Sequence, residues 1–487
     1  MTAQKNIDRP IDRRDFLKSA TLGMGAMAAV SAMGKGAGTA SKKPNVVFIM
    51  TDQQHYKMMS CMGDDYIKTP NMDKLANMGY RFNKAYCSNP VCMASRFTLL
   101  TSHQASVVGL KGNAGKRFNS FHDEESLRDV LAKGSLGSAF TQAGYDTLYS
   151  GKTHLYGSKD ASRYGFTTFD SDDPYEGPAI YAEKVFRERA ASTNENPFLL
   201  FLSFMNPHDI CYKAGNEEGL LDTLPPEKAA ETRRFLAYKE GLTKEEFAQQ
   251  VPPPPSNLAP IAGETRGMIR KAKSGREWGE EEWDTYRWMY YRLTESVDAL
   301  VGRVLTALEK SGLQDDTIIV FTSDHGDMNG AHRLVFKNVL FEEAQRIPFI
   351  FAGKGIKKNV ADDETLACNG FDLIPTLCDL VDIECPEGIK ENGISLKPHL
   401  MEEGTKNSRK YLITECLNGF QIHDGRYKYT VYETKGNPEF LVDLVADPGE
   451  EQNFLTHPEY QETKTKLKRI LMADIKERGF YPLATDK

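Results

Sequence analysis

The sequence predicts an α/β protein. We expect a large domain with a central, mostly parallel sheet sandwiched by helices, and a small C-terminal α+β domain with an antiparallel sheet. Apolar runs at 46–50, 198–204 and 317–323 are typical of strands buried on both faces, as in parallel sheets. Polar residues follow each run, at the end where open α/β sheets bind their ligands. Nearer the C-terminus, 425–432 alternates in polarity, which predicts a half-exposed antiparallel strand.

Length and composition exclude several classes of protein. With 487 residues, the chain is long enough for one large and one smaller domain. Its 26% charged and 40% hydrophobic residues are typical of a globular protein, and a net charge of −7 argues against a nucleic-acid partner. Eight cysteines are too few for a disulfide scaffold. Cys378 and Cys385 are the nearest candidates for a bridge, a question that the sequence leaves open.

Residues 1–40 predict a twin-arginine signal peptide rather than part of the fold. The segment 12–18, Asp-Arg-Arg-Asp-Phe-Leu-Lys, resembles the twin-arginine export motif, and a mildly apolar stretch follows at 20–33. Small residues at 38–40 suit a signal peptidase. The alternative is an amphipathic N-terminal tail. We therefore expect a periplasmic or secreted protein, exported by the twin-arginine machinery and without a membrane span.

The remaining chain divides into a large domain at 43–390 and a C-terminal domain at 391–487. Within the large domain, 210–276 is charged, rich in proline and weakly patterned, which predicts an insertion or cap. All three tryptophans follow it, between 278 and 288. We expect them to belong to a helix that packs by its aromatic side. A binding surface for sugars or cations is the less favoured alternative.

The segment 90–102 carries the first candidate for chemistry. If Ser95 and Arg96 open a helix, Cys92 lies just before its first turn, where backbone N–H groups favour an anion. A cysteine beside a guanidinium could be an activated nucleophile. The alternative is a buried structural cysteine near a salt-bridged arginine, because cysteine is among the most buried residues.

Other candidates lie where predicted strands end. Asp52 and Gln53 follow the first strand, and their oxygens are hard ligands suited to Ca²⁺, although an isolated Asp52 could equally be a helix N-cap. Lys152 and His154 end a short strand, where alternate residues share a face and could point into one cavity. His208 follows the strand at 198–204, and a histidine in such a loop is often inert.

One resemblance connects these candidates. Cys92-Met93-Ala94-Ser95-Arg96 resembles the Cys-x-(Pro/Ala)-Ser-Arg signature of the type I sulfatases, members of the alkaline-phosphatase superfamily. In that family the cysteine is oxidised to Cα-formylglycine, whose hydrated aldehyde is the nucleophile. The commonest form has proline at the position of Ala94. The alanine form resembles the variant that an anaerobic, radical-based maturase accepts, so the resemblance implies a formylglycine-generating partner without identifying which one.

Further segments match the same family in order: Gly151-Lys152-Thr153-His154, Pro207-His208, Ser323-Asp324-His325-Gly326 and Lys337. The resemblance implies catalytic roles for Cys92, Arg96, Lys152, His154, His208 and Lys337. It also implies one Ca²⁺ ion, held by Asp52, Gln53, Asp324, His325 and the formylglycine at Cys92.

In the implied mechanism, Arg96 steadies the aldehyde hydrate, while Lys152 and Lys337 neutralise the sulfate oxygens. His208 protonates the departing alcohol, and His154 takes the proton that releases sulfate. The implied activity is hydrolysis of a sulfate monoester on a small molecule or saccharide, and a carbohydrate suits an exported enzyme.

Three alternatives stay open. The Asp-Gln and Asp-His pairs are also similar to those of phosphonate monoester and phosphodiester hydrolases, and the glutamine form to choline sulfatases. If Cys92 stays a thiol, the chain could be a catalytically dead exported binding protein. No residue indicates the sugar, the position of its sulfate or the oligomeric state.

Overall fold

The computed structural model describes residues 42–113, 123–170, 173–214, 219–225, 229–261, 275–401, 408–434, 436–479 and 483. The predicted signal peptide at 1–40 lies outside the described residues, as does part of the predicted insertion. Residues 43–487 form one compact unit. Within the described ranges, no helix combines the length and apolar character that crossing a membrane requires.

The large sheet confirms the predicted α/β architecture. Its eight strands lie in the order β4-β3-β5-β1-β6-β7-β2-β8, and all neighbours are parallel except that β7 runs against both β6 and β2. The strands are β1 (Asn45–Asp52), β2 (Gly79–Tyr86), β3 (Asp146–Gly151), β4 (Thr168–Asp170), β5 (Phe198–Pro207), β6 (Thr317–Ser323), β7 (Phe349–Gly353) and β8 (Val360–Cys368).

Helices cover both faces of this sheet. The helices are α1 (Pro70–Asn77), α2 (Cys92–Thr101), α3 (Glu124–Ala132), α4 (Leu136–Gln142), α5 (Gly177–Ala191), α6 (Ile210–Ala214), α7 (Leu220–Thr223), α8 (Ala230–Glu240), α9 (Lys244–Ala248), α10 (Glu280–Lys310), α11 (Glu342–Gln345), α12 (Asn369–Leu380), α13 (Glu387–Lys390), α14 (Lys397–Leu400) and α15 (Gln461–Glu477). Alternate residues of β1 enter two separate cores. Phe48 packs with α2 and α12, whereas Val47 packs with α1, α5 and α10. Burial on both faces explains why this strand is continuously apolar.

A second sheet forms the C-terminal part, with the antiparallel order β12-β11-β10-β9. Its strands are β9 (Leu412–Cys416), β10 (Gly419–His423), β11 (Tyr427–Tyr432) and β12 (Glu439–Asp443). The prediction of a half-exposed strand is wrong for β11, because only its first residue is not buried. Helix α15 covers one face at Tyr429, and the other face packs on the large sheet's loops through Lys428 and Tyr432.

The predicted insertion is more ordered than its composition indicates. Its described part contains the four short helices α6 to α9 rather than an irregular loop. Trp278 precedes α10, and Trp283 and Trp288 lie on its first half; all three are buried, at 7% exposure or less, in one cluster with residues of α6. Packing therefore accounts for them, as the sequence favours.

The cysteines form no bridge. All eight lie within the described residues and all are free, so Cys378 and Cys385 are not linked in this structure. The stability of the fold rests instead on packing and on buried ion pairs. One such group joins the two sheets, where Lys428 of β11 contacts Glu342 at 3.2 Å and Glu450 at 2.7 Å.

His423 of β10 lies beside this group and predicts an acid-sensitive step in stability. Neither ring nitrogen has a hydrogen-bond partner among the described residues, and the ring packs edge-on against Tyr86. Burial lowers the pKa of His423 to about 3, although the charge of Glu342 opposes the shift and Lys428 assists it. An unfolded histidine has a pKa of about 6.5.

Because the unfolded chain takes up this proton first, stability falls as the pH falls from about 6.5 towards 3. His423→Phe, which keeps the edge-on contact, should remove about 1.4 kcal/mol per pH unit from that slope. Denaturant unfolding of both proteins from about pH 7 to about pH 4 measures the two slopes. Equal slopes would contradict the assignment.

Candidate active site

The candidate site lies at the carboxyl ends of four neighbouring strands. Asp52 is the last residue of β1, and Asp324 follows β6, which pairs with β1 along its whole length. Lys152 follows β3 and His208 follows β5. The order β3-β5-β1-β6 therefore brings together four segments that are far apart in the sequence. This is the edge at which open α/β sheets bind ligands.

Helix α2 supplies the candidate nucleophile. The helix begins at Cys92 itself, after the extended Val91, so it opens three residues earlier than at Ser95, and Cys92 lies in its first turn rather than before it. Cys92 is 1% exposed, and its Sγ lies 3.1 Å from Nε2 of His325 and 3.8 Å from Oδ1 of Asp52. The Ser95 hydroxyl, one turn on, donates to the backbone carbonyl of Asp324 at 2.5 Å. Cys92 thus faces the strand ends from an anchored helix terminus.

Four residues here could hold a metal ion. Asp52, Cys92, Asp324 and His325 are buried, and each offers one ligand atom, with all four atoms within 4.8 Å of one another. Oxygen ligands at 2.3–2.6 Å from a Ca²⁺ ion are separated by at most about 5 Å. The donor set therefore fits a single cation. The thiol is a poor partner for Ca²⁺, but an oxygen at position 92 would complete a harder set.

Arg96 connects both carboxylates of this cluster. Its Nη2 donates to Asp52 at 2.8 Å and its Nε to Asp324 at 2.9 Å. The third nitrogen, Nη1, donates to the Ser203 hydroxyl at 2.7 Å and to the backbone carbonyl of Lys152 at 2.9 Å. Arg96 is 1% exposed, so four strand ends share one fully buried guanidinium. Its predicted contact with an aldehyde hydrate stays a prediction.

The pKa values of the Asp52 and Asp324 carboxyl groups shift in opposite directions. Burial alone would raise the pKa of Asp52, but the charges of Lys152, 2.7 Å away, and of Arg96 hold it well below its usual range. Burial and the negative charge of Asp52 raise the pKa of Asp324 to about 6. A cation between them would relieve this repulsion, which is a second reason why the cluster fits a metal ion.

The structure brings Lys152 into the site by a different route from the one expected. Strand β3 ends at Gly151, so Lys152 and His154 lie in the following loop and the alternation of a strand does not apply to them. His154 has a φ of 44°, in the left-handed region. Its Nδ1 is buried without a hydrogen-bond partner in the described part of the chain, as is Nδ1 of His208. Burial and Lys152 hold the pKa of His208 well below its usual range.

Lys337 also reaches the site. It is 9% exposed, its Nζ contacts Oε1 of Gln53, and it lies 3.5 Å from Sγ of Cys211. Burial would raise the pKa of Cys92, but the charges of Lys152 and Lys337 outweigh it and hold that pKa well below its usual range. The site can therefore stabilise negative charge at position 92.

Three residues that shape the site are not among those predicted from the sequence: Ser203, Cys211 and Asp327. Ser203 is a buried residue of β5. Its neighbours in the sequence are apolar, so nothing in the local pattern indicates a role in the site. Cys211 lies three residues after His208, and only the short helix α6 turns it towards Gln53. Asp327 directly follows Asp324-His325-Gly326. Of the three residues, it alone could have been suspected from its place in the sequence.

Comparison with known proteins agrees with this geometry. Residues 44–383 match the family model described as Sulfatase, and 330–477 match the model described as N-sulphoglucosamine sulphohydrolase, C-terminal. The chain belongs to the sulfatase family. It is therefore an enzyme that hydrolyses sulfate esters.

Relatives and solved structures support the same assignment. The sulfatase is similar to the Delta 4,5-hexuronate-2-O-sulfatase of Bacteroides thetaiotaomicron, with 29% identity over 89% of each chain. It is also similar to the structure of a 2-O GAG sulfatase, at a TM-score of 0.73 and 27% identity over 90% of this chain and 93% of that one. A phosphonate monoester hydrolase of Agrobacterium radiobacter, with a TM-score of 0.63 and 19% identity over 90% and 96% of the two chains, shares the fold alone.

The role of Arg96 predicts a large loss of stability when its charge is removed. Arg96→Met leaves two buried carboxylates without their guanidinium, which should cost about 3–5 kcal/mol in the free energy of unfolding. Arg303→Met is the matched control, because Arg303 also pairs with two carboxylates, on Glu176 and Glu183, but at the surface. That variant should lose about 1 kcal/mol or less. Similar losses in the two variants, measured by denaturant unfolding, would contradict the role given to Arg96.

Proposed function

We propose that this sulfatase hydrolyses a sulfate monoester on a carbohydrate, using Cys92 matured to formylglycine and one Ca²⁺ ion. The observation that carries the proposal is the position of Cys92, at the start of α2 and 3.1 Å from His325 within the four-residue ligand cluster. A cysteine that served only in packing would lie among apolar side chains, rather than beside two carboxylates and a histidine.

The modified residue and the ion would have simple parts in the reaction. The formylglycine hydrate would supply one hydroxyl to attack sulfur and a second whose deprotonation re-forms the aldehyde and expels sulfate from the first, and Ca²⁺ would neutralise sulfate oxygens. Asp52, Asp324 and His325 would hold the ion together with position 92, and Gln53 stays a predicted fifth ligand.

The side chains of the site suit the transfer of an anionic group. Lys152 and Lys337 approach from different loops and are held close by Asp52 and Gln53, so their ammonium groups can meet developing charge without rearrangement. His208 is held neutral by burial and by Lys152, so its ring can offer one N–H to a leaving oxygen. His154 is the proposed base that releases sulfate.

The carbohydrate is proposed from the relatives, since the sulfatases compared above act on a hexuronate and on a GAG. The segment at 12–18 supports export by the twin-arginine machinery to the periplasm or beyond. That route carries folded proteins, so a cytoplasmic maturase could act on Cys92 first. The phosphonate hydrolase alternative remains a useful comparison because such an enzyme shares this fold.

Modification of Cys92 is the first test. We expect active protein to carry formylglycine at this position and Cys92→Ala to be inactive. Cys92→Ser has only one hydroxyl, so it should be trapped as a sulfate ester after the first half-reaction. Peptide mass spectrometry across 87–96, beside an activity assay, measures both. High specific activity from wholly unmodified protein would exclude the formylglycine mechanism.

Substrate class is the second test. A panel of sulfated mono- and disaccharides, choline sulfate, an aryl sulfate and an aryl phosphonate should give its highest kcat/KM with a sulfated sugar. Chelation should abolish the activity, and Ca²⁺ should restore it better than Mn²⁺, which serves as the control for the softer His325 ligand. A preference for the phosphonate, or for choline sulfate, would favour the corresponding alternative.

A further inference from the structure

The side-chain amide of Gln53 is fixed at both ends, and only its contact with Lys337 has a part in the proposed function. Its Nε2 donates to Oδ2 of Asp327 at 2.6 Å, and its Oε1 accepts from Nζ of Lys337 and lies 3.2 Å from Sγ of Cys211. The backbone is held as well, since Gln53 has a φ of 72° and its carbonyl accepts from the Tyr290 hydroxyl at 2.6 Å. The amide therefore has one defined orientation.

Asp327 determines that orientation. Its carboxylate is fully buried and accepts from three groups: the Gln53 amide, the Tyr286 hydroxyl at 3.0 and 3.1 Å, and the backbone N–H of Asn329 at 2.7 Å. A carboxylate in this role only accepts hydrogen bonds. Gln53 must therefore turn its nitrogen towards Asp327 and its carbonyl oxygen towards Lys337.

We propose that Asp327 is a positioning residue of the active site, which places the Lys337 ammonium by fixing the polarity of the Gln53 amide. The loop that joins Asp327 to Lys337 is held together by its own backbone hydrogen bonds. The N–H of Met328 donates to the carbonyl of Phe336, and that of Gly330 donates to the carbonyl of Leu334. The proposal rests on the proposed function, in which Lys337 neutralises a sulfate oxygen.

Exchange of one atom in Asp327 should reverse this polarity. In Asp327→Asn, the new amide keeps its oxygen towards the N–H of Asn329 and turns its nitrogen towards Gln53. Gln53 must then flip, so that its own NH₂ group faces the ammonium of Lys337. Two donors repel, and Lys337 leaves its position.

Gln53→Glu offers a matched second change. In the wild-type background it sets two carboxylates against each other at the 2.6 Å contact with Asp327. In the Asp327→Asn background it restores the match, because the introduced amide can donate to the introduced carboxylate, which can in turn accept from Lys337. The two substitutions should therefore be strongly coupled.

The experiment compares wild type, D327N, Q53E and the double variant. Mature enzyme gives kcat and KM for the preferred sulfate ester. Protein made without a maturase gives the affinity for inorganic sulfate by calorimetry. D327N should lower kcat/KM about 10²-fold and weaken sulfate binding about tenfold. Q53E should cost about tenfold less in the D327N background than alone.

Asp298→Asn is the control for a merely structural role. Asp298 is 2% exposed on α10 and accepts from the side chain of Asn71 and the N–H of Met72, away from the site. It should lower the melting temperature without changing kcat/KM or sulfate affinity. If D298N loses as much sulfate affinity as D327N, the loss follows from lower stability rather than from the position of Lys337. That result overturns the proposal.

The proposal is also overturned if the double variant's loss of kcat/KM equals the product of the two single losses. A D327N protein that binds sulfate like wild type would overturn it as well. If D327N does not fold, Gln53→Met removes the amide that connects Asp327 to Lys337. Sulfate binding equal to that of wild type in this variant would also overturn the proposal. If mature wild type cleaves no sulfate ester, the proposed function fails, whereas the sulfate affinities still decide the role of Asp327.

Discussion

The buried ion pairs of Arg96 with Asp52 and Asp324 are the contacts on which the rest of the site depends. Two fully buried carboxylates from neighbouring strands repel each other and lose their hydration, so they require a buried positive charge. Arg96 supplies it from the first turns of α2, the helix that also presents Cys92. The same guanidinium holds Ser203 of β5, so it aligns strand ends as well as charges.

The remaining charges follow from that arrangement. Lys152 adds a second cation on Asp52, and Lys337 approaches through Gln53 without a carboxylate of its own in contact among the residues that the structure describes. Arg96 is paired with both carboxylates, and Asp327 lies behind Gln53, so the ammonium groups of Lys152 and Lys337 are the charges that an anionic substrate would meet. Burial and the charge of Asp52 raise the pKa of Asp324, so a bound cation would stabilise the charged form of that carboxylate.

Sequence patterns fail where tertiary contacts override local ones. The start of α2 is hard to place because Val91 caps the helix through its backbone alone, without a side-chain signal. β11 has the pattern of a half-exposed strand because Lys428 is charged, yet that lysine is buried with Glu342 and Glu450 at the junction of the two sheets. Lys152 and His154 follow a strand-like run, whereas β3 ends before both. The domain boundary near 390 stays a prediction.

The sequence alone determined the buried strands and the polar residues at their ends, and it predicted candidate site residues there, because apolar runs and reactive side chains are local properties of the chain. Only the tertiary structure decided the order β3-β5-β1-β6, the sharing of Arg96 between two carboxylates and the place of Asp327 behind Gln53. Those features join residues between 44 positions apart, as for Arg96 and Asp52, and 274 positions apart, as for Gln53 and Asp327. Pairing over such distances is fixed by the packing of the whole sheet, and no local pattern encodes it.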